Sequence, residues 1–447
     1  MGNTSVTNET QESTLGAEDK KAIGILSLGT FLEYFDLMLY VHMAVLLNEL
    51  FFPKSDPRTE ALLAAFAFCS TYVLRPVGAL FFGWLGDNIG RKTTVIITTF
   101  MMALCCFVMA NLPTYAQIGI TAAYIVTACR IFQGMSSMGE IIGAELYLTE
   151  TTTPPIQYVA VSITSTCSAL GGFVALGVAS VVTLDELNWR AAFYFGAVIA
   201  AIGIVARVAL RETPEFIDAQ LRIKKTLQKA SMSLKELKSN PLAQEKVDRL
   251  ATLSLFVIQC AWPVCFYFAY MHCGNILKTS FGYSGEEVIH HNFIVSIAQV
   301  LGFIVITVLS YYVYPLNILK FKAAALFIFT LLSPYFLSHI DSPETLMLIQ
   351  CFVIFFALGT APGIPIFYKN FPVFKRYTFA SLLYALPRAI MPIVSSLSFL
   401  FLSEIFGSYC FLLVLAPVIV GYSLGVFYFE KLDVSKEGLL HSKLQAS

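Results

Sequence analysis

Twelve apolar runs of about twenty residues each leave this chain little choice of solvent, because a run of that length crosses the bilayer core as a helix. They fall at roughly 22–48, 61–85, 94–112, 115–148, 156–184, 190–210, 250–277, 288–313, 318–339, 344–368, 377–402 and 408–430. In lipid each backbone N–H and C=O must find its partner within the segment, so such runs become helices. The expected fold class is an all-α membrane protein of twelve transmembrane helices in two six-helix halves. The division is marked by 211–249, where Lys, Arg, Glu and Gln cluster without an apolar stripe. Residues 1–21 read as an N-terminal tail, 22–210 as the first bundle, 211–249 as a linker, 250–430 as the second bundle and 431–447 as a C-terminal tail.

Composition agrees. Of 447 residues 57% are hydrophobic and 13% charged, about half the charge of a soluble domain. Formal net charge is zero, which argues against nucleic acid as a partner. The ten cysteines lie almost entirely in apolar runs and show neither metal-ligand spacing nor a disulfide framework. No metal or other cofactor is expected. The first 18 residues lack the apolar core of a signal peptide, so no cleavage is expected. Lys and Arg retained on the cytoplasmic side set orientation. With both termini inside, 21 of the 29 basic residues fall on inner segments and four on outer loops, so both ends are expected in the cytoplasm.

Ionisable residues inside spans are costly and are functional candidates by default. At about 1.5 Å per residue, Glu33 and Asp36 lie near the midplane of helix 1 and share a face. Arg75, Arg130 and Arg388 sit at similar depth on helices 2, 4 and 11. Three arginines against two carboxylates leave one positive charge spare, and a guanidinium is a good fork for a substrate carboxylate. Glu33 and Asp36 are the proton-site candidates, since a buried carboxylate is pushed toward protonation by desolvation and away from it by a nearby arginine. An Arg130–Asp36 pair could equally be an interhelical fastener.

Between helices 2 and 3 the chain reads Gly83-Trp84-Leu85-Gly86-Asp87-Asn88-Ile89-Gly90-Arg91-Lys92. The glycines let helix ends approach. Asp87 can sit at a helix N-terminus or pair with Arg91, forming a latch on one side of a pore. Gly83, Asp87, Gly90, Arg91 and Lys92, with Glu140 and Glu145 on helix 4, are the cytoplasmic gate candidates. Gly134, Ser136, Gly139, Gly143 and Ala144 give helix 4 a small-residue surface for close packing.

These segments resemble the metabolite:proton symporter branch of the major facilitator superfamily, which includes proline/betaine and dicarboxylate transporters. Leu32-Glu33-Tyr34-Phe35-Asp36, Arg75-Pro76-Val77-Gly78, the Arg130 to Glu140 stretch, Asn188-Trp189-Arg190 and Arg211-Glu212-Thr213-Pro214-Glu215-Phe216 carry the likeness in the first half, and Asn370 to Thr378 carries it in the second. Departures occur too. The loop from Tyr311 to Lys322 has no counterpart of Asp87 and Gly90, and Thr151 to Gln157 lacks the base the branch places after Glu150. Met138 replaces a glycine. The resemblance implies proton-driven uptake across a bacterial cytoplasmic membrane, by two halves rocking about a midplane site. The tail from Lys431 is too short for the coiled coil of osmosensing relatives.

Partners are then a small solute, protons and lipid, with the monomer as the working unit. Trp262, Tyr267 and Tyr270, with Gln259, Phe266, Asn275 and Tyr384, form an aromatic lining able to hold an ammonium by cation–π attraction while an arginine holds a carboxylate. A proline- or betaine-like zwitterion fits that pair; a di- or tricarboxylate held by two arginines is the alternative. An exporter, or a sensor on the same fold, stays open. An enzyme is not expected, because the six histidines bring no nucleophile–base or metal constellation.

Overall fold

The computed structural model describes residues 17–52, 73–184, 189–208, 210–221 and 246–445. Twelve helices of 13 residues or more follow one another among them: α1 (Ala17–Phe51), α2 (Arg75–Asn88), α3 (Arg91–Asn111), α4 (Ile120–Thr151), α5 (Ile156–Leu184), α6 (Arg190–Val208), α7 (Arg249–Phe281), α8 (Gly285–Tyr312), α9 (Pro315–Ser338), α10 (Pro343–Phe355), α11 (Val373–Phe406) and α12 (Cys410–Gln445). The apolar start of span 2, 61–72, lies outside the described residues, as does 222–245 of the expected linker.

The helices are amphipathic in the inverted sense that lipid demands. On α3, Phe100, Leu104 and Phe107 form an outward stripe, each more than half exposed, and on α8 Leu301, Val305 and Val308 form another exposed stripe. Arg75, Arg91, Arg130 and Arg207 are buried instead. Apolar side chains outside and guanidinium groups inside are stable together only where the surroundings are hydrocarbon and the interior supplies polar partners. This is a multi-pass membrane protein.

Within the first half α1 packs on α5, and α3 on α4 and α6; within the second, α7 and α9 pack on α12, and α8 on α10. Two seams join the halves, α2 with α11 and α5 with α8. At the α2–α11 seam Gly83 lies against Thr378, whose Cα would stand 2.7 Å from any added Cβ. The helix backbones therefore touch there with no room for a side chain.

Several expected boundaries shift for local reasons. Span 4 begins not at 115 but at Ile120, after a single turn (Tyr115–Ile118) that ends at Gly119 with φ +63, a conformation open mainly to glycine. Span 10, expected as one helix over 344–368, breaks after Phe355 and resumes as a short helix, Ile364–Tyr368. Gly359, Pro362 and Gly363 occupy the break, where proline removes a donor and glycine disfavours helix. In α7 a π-helical segment, Tyr267–His272, follows Pro263. The expected tail from 431 is helical and continues α12 to Gln445.

Candidate functional site

The midplane charges of the first half pair with one another. Glu33 and Asp36, three residues apart on α1, meet Arg75 at 4.0 Å and Arg130 at 3.4 Å respectively, with all four side chains buried. Gln133, one turn beyond Arg130, accepts from its Nη1 at 2.9 Å, and the Cys106 thiol donates to Asp36 at 3.4 Å. Burying such pairs is tolerable only where each charge keeps a partner of opposite sign.

Arg388 differs. Pro387 and Arg388 lie inside α11, and among the described residues no carboxylate comes within 4.0 Å of this guanidinium. It donates to Gln259 on α7 at 3.1 Å and to the Tyr384 carbonyl, and lies over the Tyr384 ring at 3.3 Å. The Nε2 of Gln259 is buried and has no hydrogen-bond partner among the described residues. Tyr384 and Tyr34 join their hydroxyls at 2.7 Å across the two halves, which brings the Arg388 region beside the Glu33–Asp36 turn.

Trp262 stands one turn from Gln259, packed on Phe303 and close to Gly359 of the α10 break. Tyr267 and Tyr270 lie farther along α7 and are not brought to Arg388. The Tyr270 hydroxyl donates to Gln299 at 2.7 Å, and Tyr267 stacks on Phe399 beside a cavity of ≈ 550 Å³ near the far ends of α7, α9 and α11. That cavity also takes in His272 and Asn275 but none of the charged residues above.

At the turn end of the molecule the seam between halves is stitched by charge. Asp87 accepts from the backbone N–H groups of Tyr377 (3.0 Å) and Thr378 (2.9 Å) and from the Thr378 hydroxyl (2.7 Å). Arg91, wholly buried, lies 3.6 Å from Asp87 and donates to the carbonyls of Gly86 and Val373. Asp87, on α2, thus takes backbone N–H groups of α11 and, across the turn between α2 and α3, stands beside Arg91 at the first position of α3.

The centre of this network is Glu150, held by Arg91 Nε at 3.1 Å, by Arg376 of α11 at 2.9 Å and by the Thr213 hydroxyl at 2.7 Å. Burial pushes its carboxyl up, but the two guanidinium groups outweigh burial and hold it below its usual range. The base missing from 151–157 is thus supplied from α3 and α11.

Residues 212–216 complete the network. Glu212 accepts from the first N–H groups of α3, Arg91 and Lys92, a carboxylate on a helix N-terminus. It does so beside Gly90, at φ +134, where a Cβ would press on that carboxylate. Lys92 contributes its backbone N–H. Glu215 pairs with Arg376 at 2.6 Å, and Phe216 lies under Arg91 at 4.7 Å. Sequence reading gave Asp87, Gly90 and Arg91 a gate role but took Glu150, Glu212, Thr213, Glu215 and Arg376 only as parts of family-like segments. The signal was present in the charge of 211–216 and the lone carboxylate ending α4, with nothing in one dimension to join them.

Glu140 and Glu145 separate. Glu140 pairs with Arg207 of α6 and accepts from Thr99 of α3, inside its own half. Arg207 also donates to Thr99. Glu145 faces the other half, where Tyr368 donates to it at 2.7 Å. In the second half the loop without Asp and Gly is tied down differently: Tyr314 donates to Asp433 at 2.5 Å and Lys320 to Glu430 at 2.7 Å, both on α12. Those bonds stay within one half.

Residues 26–369 match the family model described as Major Facilitator Superfamily. The proline/betaine transporter of Salmonella typhimurium is 35% identical over 206 residues, 44% of this chain and 41% of that protein, so the chain aligns to about two fifths of its length. A citrate-proton symporter of Klebsiella pneumoniae is 31% identical over 46% of this chain and 48% of its own. A solved structure of the proton:xylose symporter XylE superposes with a TM-score of 0.72 at 13% identity, covering 92% of this chain and 95% of the other, a likeness of fold.

Proposed function

The chain belongs to the major facilitator superfamily, and on that premise we propose that this membrane transporter is a proton-coupled symporter taking up a small carboxylate-bearing solute, of proline or betaine type, by alternating access. The carrying observation is the charge balance of the central layer. Glu33 and Asp36 occupy Arg75 and Arg130 in the first half, while Arg388 in the second is left to neutral partners. A solute carboxylate would take the Arg388 fork and the idle Gln259 amide. An ammonium on the same solute would meet the Trp262 and Tyr384 faces.

Asp36, 3.4 Å from Arg130, is the proposed coupling carboxylate, with Glu33 beside it. It accepts a proton whenever Arg130 is drawn away and returns it when the pair re-forms. The stitched seam of Asp87, Arg91, Glu150 and Arg376 closes the cytoplasmic side, with both termini on that side of a bacterial inner membrane. The relatives' printed activities, proline/betaine transport and citrate–proton symport, bracket the solute class. In the described central layer Arg388 is the guanidinium with neutral partners, which favours one solute carboxylate over two.

The test is uptake of labelled proline, betaine and ketoglutarate into proteoliposomes under an inward proton gradient, with and without uncoupler. Uncoupler-sensitive accumulation of a monocarboxylate zwitterion, abolished in Asp36→Asn, is the expected result. Accumulation of ketoglutarate alone would move the reading to dicarboxylates. Accumulation that ignores the uncoupler would end the claim of proton coupling.

A further inference from the structure

Three buried carboxylates stand on α4 at five-residue intervals, Glu140, Glu145 and Glu150. The two outer ones are neutralised by arginine, Glu140 by Arg207 and Glu150 by Arg91 and Arg376. The middle one is not. Among the described residues no Lys, Arg or His lies within 4.0 Å of Glu145. Its hydrogen-bond partner is a neutral hydroxyl, Tyr368, on the short helix that follows the break in α10.

The groups of neighbouring elements whose charge or titration bears on Glu145 are that tyrosine and, on α11, Tyr384 and Arg388. Arg388 is beyond ion-pair distance and is turned toward Gln259 and the Tyr384 ring. Tyr384 itself is engaged by Tyr34, and Tyr377 by the Gly139 carbonyl. No neighbour is therefore positioned to neutralise an ionised Glu145 directly.

An ionised carboxylate removed from water without a cation is strongly disfavoured, whereas the protonated acid needs only ordinary hydrogen bonds. The Glu145–Tyr368 bond also spans the two halves, between the charged seam and the Tyr34–Tyr384 contact. At about 1.5 Å per residue Glu145 lies roughly 7.5 Å inward of Glu150, so it is dry only while the halves are together.

We infer that Glu145 is a second proton-binding site: it holds a proton while the halves are closed against each other and releases it when they part and water enters. The proton would then travel with the conformational change itself, separately from the solute site around Arg388 and Asp36. This rests on the alternating-access reading but not on the identity of the solute.

Infrared difference spectroscopy of the full-length protein in lipid nanodiscs, without solute, tests it. Wild type minus Glu145→Gln at pH 7 should contain the C=O stretch of a protonated carboxylic acid. Absence of that band would overturn the proposal. Should Glu145→Gln fail to fold, Tyr368→Phe serves: removing the hydroxyl donor should shift the same band in frequency, whereas a merely structural tyrosine would leave it in place. A band unchanged in Tyr368→Phe would belong to another carboxyl and would equally overturn the proposal. Neither readout depends on uptake, so failure here and failure of the symport reading can be told apart.

Discussion

Tyr377 of α11 donates its hydroxyl to the carbonyl of Gly139, in the middle of α4, at 2.6 Å. Its ring enters a slot between Gly86 and Gly143, where an added Cβ would meet the ring at the first position and the hydroxyl oxygen at the second. One side chain thus spans the seam because two glycines on different helices make room for it. Gly86→Ala should push the ring out and loosen the seam by about 1–3 kcal/mol, the usual cost of overpacking. Hydrogen exchange at the Tyr377 and Thr378 amides should rise roughly 5- to 150-fold, while amides in α9, remote from the seam, stay protected.

Arg91 satisfies Glu150, the Val373 carbonyl and the Gly86 carbonyl together, and its planar fork makes that reach possible. Arg91→Ala should destabilise the closed seam by about 3–5 kcal/mol, because it strips buried Glu150 of one of its two cations. Arg91→Lys should recover only part of this. Thermal unfolding in detergent, ranked wild type, Lys, Ala, checks the order; equal midpoints for all three would contradict it.

Glu150 sets a pH limit on the same seam. Its carboxyl is held below its usual range, so its contribution to the closed state is fully present above the ordinary glutamate value of about 4.3. That contribution is lost as pH falls through the lowered folded value. The midpoint advantage of wild type over Glu150→Gln should be constant from pH 7 to about pH 5 and shrink in stronger acid. An advantage that grew on acidification would have the wrong sign.

Glu140 is tied to Arg207 and Thr99 within the first half and, among the described residues, makes no hydrogen bond or ion pair across the seam. Glu140→Gln should lower the unfolding midpoint, with about 3–5 kcal/mol lost because Arg207 stays buried without its carboxylate. The exchange rates of the Tyr377 and Thr378 amides, which report the seam, should stay near wild type. A faster exchange at those amides would return Glu140 to the gate.

Arg388→Lys keeps the charge but loses the planar fork. If Arg388 receives the solute carboxylate, apparent affinity for the transported solute should fall about tenfold or more, since charge-assisted bidentate bonds contribute about 1.5–3 kcal/mol. Proteoliposome uptake against solute concentration measures it, and an unchanged half-saturation concentration would remove Arg388 from the solute site.

Much of this was legible in one dimension, for definite reasons. Span length is set by bilayer thickness, so counting apolar residues located most helices, and it failed where backbone chemistry intervened: at Gly119 and at the Gly359–Gly363 break. The pairing of Glu33 and Asp36 with arginines followed from helical spacing and the cost of isolated charge. Which arginine would be left over did not follow, because Arg75, Arg130 and Arg388 are equivalent by composition and depth.

What the sequence by itself determined is the solvent, the number of crossings and the presence of ionisable groups that hydrocarbon tolerates only in company. Those are local properties, set by about twenty residues at a time. Only the tertiary structure decided the company: that Glu150 lies between Arg91 and Arg376, that Glu212 caps α3, that Glu140 turns inward while Glu145 turns to Tyr368, and that Arg388 turns to Gln259. A charge buried in low dielectric is governed by whatever stands within a few ångströms of it. Those neighbours come from helices far apart in the chain, 226 positions between Glu150 and Arg376 and 291 between Asp87 and Thr378.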